Sequence, residues 1–232
     1  MDPMPLRLAE VDALARADHH HLPADLRCFY WGEYTPYEQT KGQRWSFSAT
    51  NQLLSDFKKK MDRQGQPDWP FKAQATQQIA EAFARFWNWP QLHTQKRVTL
   101  IPLPPSKART DPAYDPRMLD VLNGIAMQVG LPLDIRDCLS FSGKFAASHV
   151  SSERPSPDDL HAELGFDTAA GKPNEPPGTI FLFDDMLTSG AHIVAIERKL
   201  AQHFPGVPLV VNVIARRIAP DMYAGLVDPN VV

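Results

Sequence analysis

Two adjacent carboxylates, Asp184 and Asp185, are followed after Met186 and Leu187 by the small, hydroxyl-bearing turn Thr188, Ser189, Gly190, Ala191. The turn is suited to an anion. Backbone N–H groups at a helix N-terminus have no intrahelical partner, Gly190 removes the steric bar to close approach, and the two hydroxyls add donors. The acids ask for different chemistry: vicinal hydroxyls, or a divalent cation bridging to the ligand. Taken together, the stretch is drawn to a sugar phosphate, anion at the turn and diol at the acids. Acids at a strand end also serve merely to cap the next helix, so the inference rests on both parts in this order. A second polar set, Ser106, Lys107 and Arg109, follows the proline-rich run Pro102-Leu103-Pro104-Pro105. It reads either as counter-charge for the same ligand or as surface cations on an ordinary connection.

The elements that must position these groups are legible from apolar patterning. Ile180 to Phe183 run apolar without alternation, which predicts a strand buried on both faces of a mainly parallel sheet. Its carboxyl end, where open α/β sheets bind ligands, carries the acids. Ile193, Ile196, Leu200 and Phe204 form the inward stripe of the following helix, closed by Pro205 and Gly206, and Val207 to Ala215 make a further buried strand. Strand, helix, strand implies a right-handed crossover. Arg216 and Arg217 at its end are counter-ions or solubilising residues. Val98 to Leu103 is another buried strand, stopped by the prolines, and Arg117 to Val129 is a helix with Met118, Leu122, Ile125 and Val129 on one face.

Elsewhere the reading is coarser. Residues 1–25 form an amino-terminal extension whose His19, His20 and His21 point different ways and are expected on the solvated surface. Phe29, Trp31, Tyr34 and Tyr37 partly alternate, as in a hairpin. Ser48 or Thr50 caps a helix bearing Leu53, Leu54, Phe57 and Met61, with Lys58, Lys59 and Lys60 either solvated or serving as counter-charges. Lys72 to Trp89 is a core-packing helix with Pro90 beyond its end, and 131–141 holds a short strand. The span 143–178 is rich in Pro, Ser and Gly and carries Lys144, His149 and Arg154; it reads as a lid or a disordered insertion, with a short helix over Pro157 to Leu164.

Composition excludes little and favours an ordinary globular chain of 232 residues, 43% hydrophobic and 22% charged, with a formal net charge of −3. Such a balance gives no global basic field for nucleic acid, although a local basic patch stays open, as does a homodimer. Two cysteines, Cys28 and Cys138, are too few for a four-ligand zinc site and fit a reducing compartment, hence the cytoplasm. No run approaches the ~18 apolar residues of a membrane span, and the polar start lacks a secretory apolar region.

The order of apolar run, acidic pair, two apolar residues and Thr-Ser-Gly resembles the phosphoribosyl-pyrophosphate (PRPP) motif of type I phosphoribosyltransferases. The strand, proline-rich basic loop and helix over 98–129 are similar to the competence-protein ComF group of that superfamily, whose amino-terminal four-cysteine zinc module this chain lacks. The resemblance covers roughly 29–217. It implies an α/β fold with a central, mainly parallel sheet flanked by helices: one domain over 26–232, with 26–96 an accessory layer, 97–217 the core and 143–178 a lid. It also implies binding of PRPP or a nucleoside monophosphate with Mg²⁺, and phosphoribosyl transfer to or from a base in nucleotide metabolism. Asp184 and Asp185 would be the catalytic pair holding the ribose diol, and 188–191 the 5′-phosphate cradle, with His192 where the family has a hydroxyl. Ser106, Lys107 and Arg109 would lie on the pyrophosphate side, and Arg154 in the lid. A non-catalytic nucleotide sensor or DNA-uptake accessory protein is the alternative that resemblance allows, and an enzyme acting on another phosphorylated sugar is a third.

Overall fold

The computed structural model describes residues 3–143 and 155–219. A six-stranded sheet runs in the spatial order β1 (Ala9–Glu10), β2 (Arg27–Tyr34), β8 (Leu209–Arg217), β7 (Thr179–Leu187), β3 (Val98–Pro102), β4 (Asp134–Ile135). Every pairing in it is parallel except that of β1 with β2. One face is covered by α2 (Ala49–Phe57), α3 (Pro70–Phe86), α4 (Trp89–Gln95) and α5 (Arg117–Val129). The other carries α6 (Pro157–Glu163), α8 (Ala191–His203) and a two-stranded ribbon of β5 (Leu139–Phe141) with β6 (Leu164–Phe166). The fold is therefore mixed α/β, with a mostly parallel sheet flanked by helices.

The central strand β7 explains the layering. Successive side chains on a strand leave opposite faces. Ile180 and Leu182 join the core under α8, while Phe181 and Phe183 join the core under α2, α3 and α5. Edge-on aromatic pairs fill the second core, Trp87 against Phe181 at 5.0 Å and Phe83 against Phe183 at 5.6 Å. Helix ends follow local chemistry. The Ser48 hydroxyl accepts from the Asn51 N–H at 3.1 Å and starts α2. Pro90 does not follow a helix; it sits in the first turn of α4, where its missing N–H costs no bond.

The structure differs from the sequence reading in three further places. The aromatics of 29–37 form no hairpin: β2 is one strand parallel to β8 from Arg27↔Val210 to Tyr34↔Arg217, followed by single 3₁₀ turns at Tyr37–Gln39 and Arg44–Phe47. Both its faces are buried, Cys28 toward α8 and Trp31 toward α3, so partial alternation did not mark an exposed side. The amino-terminal residues are built into the fold. After β1 and α1 (Ala13–Arg16) the chain hooks back, closed by Arg16, whose guanidinium donates to the carbonyls of Val11 (3.3 Å), Pro23 (2.5 Å) and Leu26 (3.1 Å). Val11, His19 and Leu22 are buried there. His19 thus departs from the solvated surface expected of it.

Third, the described part of the expected lid is folded beyond the short helix expected over Pro157 to Leu164. Ser156 and Asp159 form a reciprocal capping box at the start of α6, Leu160 and Leu164 are buried, and β6 pairs antiparallel with β5; α7 (Thr168–Gly171) follows. Lys144, His149 and Arg154 lie outside the described residues. Both cysteines are free and buried, and burial pushes each thiol up to about 12. No helix among the described residues is long and apolar enough to cross a membrane.

Candidate functional site

From β3 the chain passes through α5 to β4 on one side, and from β7 through α8 to β8 on the other. The strand order therefore reverses between β3 and β7, which is where an open α/β sheet leaves a crevice at its carboxyl edge. The two strands part at a definite point. Their last paired residues are Pro102 and Phe183, the Leu103 N–H donates to the Phe183 carbonyl at 2.7 Å, and the prolines then lead β3 away. β7 continues along β8 to Leu187, so Asp184 and Asp185 are the first residues exposed to the gap. Pro104, Asp115, Arg117 and both acids line a cavity of about 40 Å³ there. That is roughly one water's share of liquid volume, ~30 Å³, so a sugar enters only if side chains move.

Neither acid is idle. Asp185 is 8% exposed; its Oδ1 accepts from Lys58 Nζ at 2.8 Å, and its Oδ2 accepts from Arg117 Nε at 3.1 Å and NH2 at 2.5 Å. Arg117 also donates to Asp115 at 3.1 Å, and Lys72 donates to the same Asp115 oxygen at 2.8 Å. The result is an alternating chain Lys58, Asp185, Arg117, Asp115, Lys72 that ties three helices to the strand end. Burial works against charge on Asp185, but Lys58 and Arg117 outweigh it and hold the carboxyl below the usual range. Asp184 behaves oppositely. It is 9% exposed, and although its Oδ1 accepts from the Asp185 N–H at 2.6 Å, burial first and the Asp185 charge second push it up to about 7. The two adjacent acids are thus a differentiated pair: two cations favour the charged form of Asp185, while burial favours the protonated form of Asp184.

The turn at 188–191 leads straight into α8 and is held from behind. Gly190 takes φ 89° and α8 begins at Ala191, whose N–H lies 3.4 Å from the Ser189 hydroxyl oxygen. The amino-terminal hook grips this turn. His19 Nδ1 donates to the Thr188 carbonyl, and the His21 N–H donates to the Ser189 carbonyl at 2.9 Å. Because a carbonyl only accepts, Nδ1 carries the proton and Nε2 is left a buried acceptor with no partner among the described residues. Burial also keeps His19 below its ordinary pKa, hence neutral. Gly190 packs against the same hook, since a Cβ there would stand 2.9 Å from the Leu22 nitrogen. Gly190→Ala should therefore cost about 2 kcal/mol from the left-handed backbone alone. In a chain of this size that is a fall in Tm of about 4–8 °C. A melt within 1 °C of wild type would show that the turn is not fixed in this way.

His192 is half-buried. Its ring meets Phe141 edge-on at 5.8 Å, and burial lowers its pKa, with the Asp185 charge opposing and Lys58 adding to the fall. The basic loop divides. Ser106 is exposed, and Lys107 Nζ makes a half-exposed pair with Asp111 at 3.3 Å. Arg109 is committed to structure: it pairs with Asp137 at 2.6 Å and donates to the carbonyls of Asp137 (2.8 Å) and Leu139 (3.3 Å). The groups that sequence reasoning missed at the site are Arg117, Asp115, Lys72 and His19. One signal pointed to Arg117: a cation at the first position of a helix opposes the macrodipole and calls for an anion nearby.

No protein-family profile matches this chain, and no curated protein matches it. Among solved structures, the chain is similar to a hypoxanthine phosphoribosyltransferase from Staphylococcus aureus over 67% of its own length and 81% of that chain, at 12% identity and a TM-score of 0.37. A likeness that distant establishes neither family nor activity.

Proposed function

We propose that the crevice between β3 and β7 binds a ribose 5-phosphate ligand, PRPP or a nucleoside monophosphate, together with Mg²⁺, and that the chain transfers the phosphoribosyl group to or from a base. The observation that carries this reading is the junction of a poised carboxylate, Asp184, with a clamped helix-N-terminal turn at 188–191, both at the point where strand order reverses. The 5′-phosphate would sit on the N–H groups of that turn, with His192 at its edge. Asp184 would take the ribose diol, accepting from a hydroxyl as carboxylate. Asp185 becomes available to the sugar only when Lys58 or Arg117 leaves it, and an incoming pyrophosphate is the anion able to draw them off.

Among the described residues no cluster of three His, Cys, Asp or Glu could hold a metal. Mg²⁺ commonly takes one or two carboxylates and completes its shell with phosphate oxygens and water, so Asp184 with the ligand's own oxygens fits. When bound, it would neutralise charge on the leaving group. In the reaction the bond from C1 to the pyrophosphate oxygen breaks, its electron pair leaving with pyrophosphate. A base nitrogen bonds to C1 and releases its proton. Lys107 would meet the pyrophosphate from the loop after β3, with Ser106 as a hydroxyl donor; Arg109 would contribute by holding that loop to β5.

A second reading, binding without turnover as in a nucleotide sensor or DNA-uptake accessory protein, is favoured by one fact: Asp185 is already neutralised by two cations. Calorimetry with PRPP, ribose 5-phosphate and nucleoside monophosphates, with and without Mg²⁺, followed by a pyrophosphate-release assay across bases, separates the two. Binding with release supports the transferase, binding without release supports the sensor, and no binding sinks both. Lys107→Ala gives a sharper check. It should weaken PRPP by about tenfold or more, the loss of a charge-assisted hydrogen bond, while leaving a nucleoside monophosphate within about twofold. Equal losses for both ligands would place Lys107 elsewhere.

A further inference from the structure

Next to Asp185, sharing its partner Lys58, lies a second cavity, of about 610 Å³, a size that holds a small organic ligand. Its floor is Leu54 and Met186, the residue after Asp185; its walls include Tyr37 and Trp45, 52% and 54% exposed; its cations are Arg44 and Lys58. No Asp or Glu lines it. Three features set it apart from an incidental hollow. Two large aromatic rings of one cavity stay half in water and present flat faces for stacking. Arg44 sits at φ 52°, a left-handed conformation costly for a side chain with a Cβ, and such strain collects at ligand sites. Its guanidinium, exposed to water, lies 5.2 Å from the Tyr37 ring centroid and has no ion-pair partner among the described residues, so its donors are open to an incoming anion. Lys58 joins this cavity to the crevice, since the same ammonium that lines the cavity binds Asp185 at 2.8 Å.

We infer that this cavity takes a planar aromatic ring bearing a carboxylate, the ring stacked on Trp45 and Tyr37 and the carboxylate on Arg44. The inference deepens, and rests on, the ribose-phosphate reading of the crevice: it makes an acidic heteroaromatic ring the base to which the sugar is joined. An uncharged ring would satisfy the stacking faces but leave the exposed guanidinium to water, gaining nothing from it. A fork of N–H donors that pairs two-point with a carboxylate selects for the acid.

The test uses ring pairs that differ at the carboxylate. Pyridine-3-carboxylate against pyridine-3-carboxamide, and orotate against uracil, are titrated by tryptophan fluorescence and calorimetry, with and without ribose 5-phosphate and Mg²⁺. The acids should bind at least about tenfold more tightly than their uncharged partners, the usual scale for a hydrogen bond to a charged group. Arg44→Gln should abolish the preference. Arg44→Gly should abolish it while raising Tm, because glycine adopts the left-handed backbone without strain; a merely structural arginine would not behave so. Equal affinity for acid and uncharged ring, or a preference that survives Arg44→Gln, overturns the inference. Ribose 5-phosphate binding with no acidic ring bound overturns it too and leaves the crevice reading standing. Acidic-ring binding without ribose 5-phosphate binding instead overturns the crevice reading, and with it the joining of ring to sugar, while supporting the ring site alone.

Discussion

Arg117→Met should lower stability at pH 7 by about 3 kcal/mol, the low end for breaking a buried ion pair while leaving its partner charged. In a chain of this size that is a fall of about 6–12 °C in Tm. The expectation follows from what the guanidinium touches. It donates to Asp185 through Nε and NH2 and to Asp115 through NH1, and Asp115 Oδ1 is already buried without a partner among the described residues. Lys58 and Lys72 remain to each acid, which keeps the loss from being larger. The pH dependence distinguishes charge from packing. Asp185 has a folded-state pKa below its unfolded value, so its contribution is present above about pH 4 and lost as pH falls through the folded value. Removing Arg117 shrinks that contribution, and the gap between wild type and variant should therefore narrow on acidification. Urea unfolding at pH 7 and at about pH 2.5, inside that window, measures it. A gap equal at both would mean that the stem's packing over the Phe57 ring, 5.8 Å from the guanidinium carbon, carries the effect instead. Adding Asp185→Asn to Arg117→Met should recover part of the loss, since the stranded charge is then gone.

That network also shows where sequence reading runs out. β7, α8 and α5 were legible because each is specified locally, by an apolar run or by a stripe at helical spacing. So was the junction of acids and turn, which lies in one continuous stretch. The partners of Asp185 are another matter: Lys58 is 127 residues away and Arg117 is 68. Periodicity tells which face of its own element a residue occupies and nothing about which residue of another element it meets. The same holds for the hook. Three consecutive histidines look solvated as a string, yet a single backward turn closed by Arg16 buries His19 against Thr188 and leaves His20 exposed. The unequal roles of the acids were hidden for a further reason. Protonation is set by burial and neighbours, and two aspartates adjacent in sequence are indistinguishable until one has cations against it and the other does not.

Asp184→Asn should make the protein more stable at pH 8 and, by the same change, worse at its proposed task. Burial and the neighbouring Asp185 charge raise the Asp184 carboxyl from 3.8 to about 7, so the folded state prefers it protonated. Stability from such a group is fully present below the unfolded pKa and is lost as pH rises through the folded one. Each pH unit in that window removes about 1.4 kcal/mol, so wild type loses about 4 kcal/mol between pH 4 and pH 7 through this one carboxyl. Asparagine cannot ionise, and its carbonyl can still accept the Asp185 N–H that Asp184 Oδ1 accepts at 2.6 Å. Wild type and variant should then unfold at similar urea concentrations at pH 4 and diverge as pH rises, the variant ahead by several kcal/mol at pH 8. Ribose-phosphate binding should move the other way. Losing the charged partner of a hydroxyl costs about 1.5–3 kcal/mol, a ten- to hundredfold weaker Kd at pH 8. The wild-type penalty for ionising Asp184 is thus what a diol or a bridging cation relieves on binding, so in wild type affinity for ribose 5-phosphate with Mg²⁺ should climb between pH 6 and 8 with proton release. In the variant only the ligand's own titration should remain. Calorimetry in buffers of different ionisation enthalpy reads that proton. A variant less stable than wild type at pH 8, or one that binds as tightly, would mean that Asp184 is a structural carboxyl and that the poised acid of the site lies elsewhere.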